Sequence, residues 1–173
     1  MVSITSYTQK CKTTLGGIKK IYLFPFVKYT RSQIVVNGME LITFPETYIY
    51  EFDVIGSYNQ TSDIEGGDIF FNQSFTANLN VVYNVLDIQN LLLRDYRCII
   101  ETNNGDKLLL GTYNGLRGTA TNGSGQSKNE FNGFKVDFTG KENVYLLRIE
   151  DLATAGFIIN TGNNLNYTLN FNI

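Results

Sequence analysis

Apolar and polar residues alternate one for one along several separate stretches of this 173-residue chain, and that spacing dictates extended strands. Successive side chains of a strand point to opposite faces, so a period of two sorts residues into an inner and an outer set. From Phe71 to Val81, the residues Phe71, Phe75, Ala77, Leu79 and Val81 share one face, with Asn72, Ser74, Thr76, Asn78 and Asn80 on the other. The same alternation recurs at Tyr48–Val54, at Phe134, Val136 and Phe138, at Tyr145, Leu147 and Ile149, and at Tyr167, Leu169, Phe171 and Ile173. Strands that are apolar on one side only are characteristic of antiparallel sheets with one solvated face. Ile21 to Phe26 is instead a continuous apolar run and reads as a buried strand ending at a Pro.

Turn chemistry supports the same class. Cys98–Glu101 and Lys107–Leu110 flank Thr102-Asn103-Asn104-Gly105-Asp106, and Asn-Gly between apolar runs is a strong hairpin signal because both residues tolerate positive φ. One segment breaks the pattern. Val85, Ile88, Leu91 and Leu92 fall on one helical face, with Asn84 as N-cap and Asp87 in the first turn, which predicts a short α-helix over about 85–94. Residues 112–132 are rich in Gly, Asn, Ser and Thr and read as one long polar loop. The expectation is a single, mainly β domain over residues 1–173. Its form is an antiparallel β-sandwich or β-barrel with that helix, an N-terminal arm (1–17), the 112–132 loop and a C-terminal strand (166–173).

The residues that usually carry chemistry are missing. There is no histidine, which removes the commonest general base and the commonest metal ligand. Cys11 and Cys98 are far apart and form no zinc or redox spacing, so both read as free thiols. Asp63, Glu65 and Asp68 lie in a Gly-containing turn whose spacing falls short of a calcium loop, and a solvated turn is the simpler reading. Gly118 to Gly125 lacks the Gly-Lys-Ser/Thr ending of a phosphate loop. The expectation is therefore no enzyme, no catalytic residue, no cofactor, no metal and no small-molecule substrate.

Charge is distributed unevenly. Residues 1–39 hold Lys10, Lys12, Lys19, Lys20, Lys28 and Arg31 with no acid, so the remainder carries −8 of the total −2. Segments of opposite sign suit docking of a basic arm on an acidic surface. No charged residue follows Asp151, and the alternating C-terminal segment lacks the Lys and Glu that normally block edge pairing. Such a strand suits addition to a neighbouring sheet. Lys10, Lys12, Lys19 and Lys20, together with Asn166, Thr168, Asn170 and Asn172, are accordingly the candidate assembly contacts. A net acidic chain, with a pI near 5.1, argues against a DNA-reading domain. No export leader and no apolar run of membrane-spanning length are visible, so a soluble protein is expected.

Three stretches carry a likeness to a known group: the amphipathic segment Val85–Arg94, the hairpin Cys98–Gly111, and Glu130–Phe138 reached through the polar loop. Over roughly residues 70–150 this order resembles virion proteins of tailed bacteriophages, in particular tail and portal-proximal proteins of the crAss-like phages of gut bacteria. The resemblance implies a structural subunit of a tail hub, tail tube or head–tail connector. It further implies a homo-oligomeric ring made in the host cytoplasm and resident in the virion, with neighbouring tail or portal-proximal proteins as partners. DNA would pass close by in a channel whose acidic wall repels it, and no membrane is involved. A different class, a carbohydrate-binding β-sandwich of a fibre or adhesin, would use Tyr and Asn on a strand face, although the absence of Trp removes its favoured stacking platform.

Overall fold

A computed structural model describes residues 16–79, 93–124 and 132–160. The described chain is mainly β and forms one open sheet. In chain order the strands are β1 (Ile18–Pro25), β2 (Val35–Asn37), β3 (Glu40–Thr43), β4 (Thr47–Glu65), β5 (Asp68–Leu79), β6 (Tyr96–Thr102), β7 (Lys107–Leu110), β8 (Arg117–Ser124), β9 (Asn132–Glu142), β10 (Leu147–Ile149) and β11 (Phe157–Ile159). Their order across the sheet is β2-β3-β10-β7-β6-β1-β4-β5-β9-β8, with β11 added in parallel to the start of β4. A single 3-10 turn, Arg31–Gln33, links β1 to β2.

The apolar run of β1 becomes the middle of this sheet. Ile21 and Leu23 point into one core and Tyr22 and Phe24 into another, and β6 beside it is likewise buried on both faces. The first core lies inside a curl made by β6, β1, β4, β5, β9 and β8. There Phe75 stacks on Phe138 (5.0 Å between ring centroids) and Tyr96 meets Phe138 edge-on. The second core covers the opposite face of β1 and β6, with Phe24, Phe44 and Phe157 in mutual contact under β3 and the Leu152–Gly156 turn. Two layers around a shared central sheet give each strand face something to bury against.

The curl closes through a short backbone bridge. Leu116, just before β8, bridges to Tyr96 at the start of β6 through paired backbone bonds of 2.9 and 2.7 Å. Elsewhere close approach depends on glycine. At Gly56 a Cβ would lie 2.2 Å from the Thr76 carbonyl oxygen, so the crowded junction of β1, β4 and β5 has room for no side chain. Gly118 similarly leaves space for the Phe138 ring opposite it.

Three expectations meet the structure differently. The Asn-Gly hairpin is present, with Cys98 opposite Leu110 and Gly105 at φ +88°. The single loop over 112–132 is corrected: Arg117–Ser124 is strand β8, paired along its length with β9. Its small residues carry no periodic apolar signal, and pairing with the strongly apolar β9 imposes the extended form. Of the expected helix, residues 85–92 lie outside the described residues, while Leu93 and Arg94 form a turn and bend. Much of the N-terminal arm (1–15) and the C-terminal strand (166–173) also lie outside them.

Candidate assembly interface

The longest element is also the least covered. β4 has 19 residues, but β1 accompanies it only as far as Gly56, so that among the described residues the edge from Ser57 to Glu65 has no strand beside it. On its other side β5 pairs with β4 up to the Glu65-Gly66-Gly67-Asp68 turn, while β9 accompanies β5 only to Phe71. The outer part of the β4–β5 hairpin is therefore a two-stranded ribbon projecting past the sheet. At its tip Ile64 and Ile69 face each other across the strands and are 72% and 55% exposed. A two-stranded ribbon is marginal in water by itself. The exposed isoleucine pair is an apolar surface placed where the protein's own core cannot cover it.

The ribbon tip is acidic. Asp63, Glu65 and Asp68 lie on or beside the turn, and Lys141 answers only part of this charge, bonding Glu65 at 2.6 Å while lying 4.6 Å from the centre of the Phe70 ring. Asp63 instead accepts the backbone N–H of Ile64. Among the described residues no group of three or more acidic or thiol side chains has the arrangement of a metal site.

A second open edge lies at the end of the sheet. Among the described residues no strand pairs with the outer side of β8, and from Gly118 to Ser124 it carries no charge. An unpaired, uncharged edge is a template for another strand. Its position is set by buried polar groups that the sequence pattern did not single out. Glu142, fully buried at the end of β9, accepts N–H bonds from Tyr113 (3.0 Å) and Asn114 (2.7 Å) in the turn leading to β8. Burial raises its carboxyl pKa, against the pull of those backbone N–H groups and of Arg97. Gln73, also buried, accepts from Gly111 and donates to Gln60 and to the Val144 carbonyl. The available clue was a polar side chain in an apolar phase: Gln73 falls in step with Phe71, Phe75 and Ala77, and Glu142 with Phe134, Val136 and Phe138.

The basic candidates separate. Lys19 and Lys20 lie on β1 and are engaged within the subunit, Lys19 with Glu101 (2.8 Å) and Lys20 with Glu51 (2.7 Å). The Glu51 bond holds the Lys20 ammonium pKa above its ordinary value despite some desolvation. Burial alone would raise the Glu101 carboxyl, but bonds from Lys19 and from the Tyr22 hydroxyl (2.9 Å) outweigh it and leave the pKa lowered. These two lysines tie β1 to its neighbours and are not idle charges. Lys10, Lys12, Asn166, Thr168, Asn170 and Asn172 lie outside the described residues.

One concave feature borders the inner end of the open β4 edge. A cleft of about 670 Å3 lies between β4 and the β7–β10 region, lined by Tyr58, Asn59, Tyr145, Asp106 and Arg148 among others. Asp106 and Arg148 pair on its β7–β10 wall at 3.5 Å. Comparison of the chain with protein-family models, with curated proteins and with solved structures finds no match to any of them.

Proposed function

We propose that this protein is a structural subunit of a tailed-phage virion, assembling through side-to-side β contacts into a tail hub, tail tube or connector ring around the DNA channel. One observation carries the assembly part: the β4–β5 ribbon projects beyond its own sheet with an unpaired edge and an exposed Ile64–Ile69 pair. A neighbour that supplies the missing strand satisfies its backbone and covers its apolar tip at once. The open β8 edge gives the same subunit a second, different surface, and a contact between unlike surfaces closes into a ring when its rotation permits. The virion setting comes from the sequence resemblance.

Native mass spectrometry of the full chain over a range of concentrations tests this reading. A closed oligomer of fixed stoichiometry is expected. A monomer throughout, even when mixed with neighbouring virion proteins, overturns it.

The cleft supports a second reading, in which the protein binds carbohydrate. Tyr58 and Tyr145 present half-exposed rings there beside the Asn59 amide and the Asp106–Arg148 pair, a combination of apolar platforms and fixed polar groups suited to a sugar. Binding of the purified chain on a glycan array, lost in Tyr58→Ala and Tyr145→Ala, would favour it over assembly.

A further inference from the structure

We propose that residues 1–15 of one copy dock as an added strand on the outer β4 edge, Ser57–Glu65, of a second copy. The proposal rests on the assembly reading above and names the contact that joins subunits there.

The acceptor is defined by the fold. Nine residues of β4 run past the end of β1 with an unpartnered edge among the described residues, about 30 Å of backbone at strand rise. The carboxylates of Asp63 and Glu65 sit on that stretch and Asp68 just beyond its turn. The donor matches it in charge, length and conformational preference. Residues 1–15 contain Lys10 and Lys12 and no acid, and they hold no Gly or Pro. Val2, Ile4, Tyr7 and the threonines at 5, 8, 13 and 14 favour extended backbone. Fifteen extended residues span about 50 Å, enough to follow the whole edge and still bridge to another subunit.

The geometry at Gly16 and Gly17 argues for exchange between copies. An arm continuing in line with β1 would run along its own β4, since Ile18 already stands opposite Gly56. Gly17 has φ +99°, however, which no strand adopts. The carbonyls of Gly16 and Gly17 are both held by Asn103, at 2.5 and 3.2 Å, in the β6–β7 turn on the other side of β1. The pairing register of β1 also shifts between Ile18 and Lys20. Gly16 and Gly17 are thus bent out of line with β1 and tied to the β6–β7 turn on its far side.

The native thiol of Cys11 makes the contact testable in the full-length protein, because Cys98 is fully buried. Asn59→Cys, Thr61→Cys and Ser62→Cys sample both faces of the edge. Under mild oxidation at least one should give reducible covalent dimers and longer chains on a denaturing gel, all lost when Cys11→Ser is added. Lys10→Glu with Lys12→Glu should weaken subunit association at least tenfold, and Asp63→Lys with Asp68→Lys should restore it. An assembled protein with no crosslink between chains and no response to charge reversal overturns the arm contact while leaving assembly standing. A disulfide formed only within one chain overturns it too, placing the arm on its own ribbon. A monomer at every concentration removes both proposals together.

Discussion

Arg97 is almost completely buried, and its Nε donates to the Thr112 carbonyl at 3.1 Å. Its two terminal nitrogens have no hydrogen-bond partner, and the guanidinium lies 4.3 Å from the centre of the Phe26 ring, with Tyr29 and Phe44 nearby. Burial lowers its pKa to about 10. A planar, weakly hydrated cation tolerates that aromatic setting far better than an ammonium does. Arg97→Lys is therefore expected to destabilise the fold by about 1–3 kcal/mol in denaturant melts, despite conserving charge. Glu142 gives a pH signature. Its folded pKa is raised, so the native state binds more protons than the unfolded chain above pH 4.5, and its contribution falls as pH rises through the folded value. Glu142→Gln should then gain stability relative to the parent protein as pH rises from 4 to 7, measured by melts at each pH. The phase of Glu142 within β9 hinted at burial, but the partners of Arg97 and Glu142 were not legible, because no local sequence pattern brings Phe44 or Tyr113 near them.

Among the elements, legibility followed the strength of the apolar rhythm. Phe134, Val136 and Phe138 announced β9, and the Asn-Gly turn announced the β6–β7 hairpin. β8 was invisible because Gly118 is selected for absence of a side chain beneath Phe138 and not for strand preference. The start of β4 also departs from simple alternation: Ile49 is fully buried while Tyr48 is 60% exposed, because Ile49 belongs to the aromatic core and only Phe52 and Val54 join the inner one. The partners of Lys19 and Lys20 are 82 and 31 residues away, at Glu101 and Glu51, beyond the reach of charge patterning. The ribbon's base allows a sharp test of the strand junction. Gly56→Ala puts a methyl group against the Thr76 backbone, which cannot rotate aside, and should cost about 1–3 kcal/mol in unfolding free energy. Ile64→Lys with Ile69→Lys lies outside both cores and should leave the melting curve within about 0.5 kcal/mol of the parent, while reducing association in sizing experiments.

For the whole molecule, the proposed assembly by strand addition would make the open edges sensitive to charge. Thr119 and Thr121 are exposed on β8, and replacing both with Lys should leave folding intact while lowering self-association through that edge, as read by native mass spectrometry. The bridge between Tyr96 and Leu116 has a mechanical meaning as well. Every other neighbour relation around the inner core is a ladder of several residue pairs, whereas β6 and the approach to β8 share two backbone hydrogen bonds, with the Arg117–Asp95 ion pair (3.1 Å) beside them. With the fewest backbone bonds to break, that seam should open first when the protein is squeezed or stretched across its width. Opening there would let the girth of the inner core vary, a property that would serve the proposed assembly, in which neighbours would set the circumference.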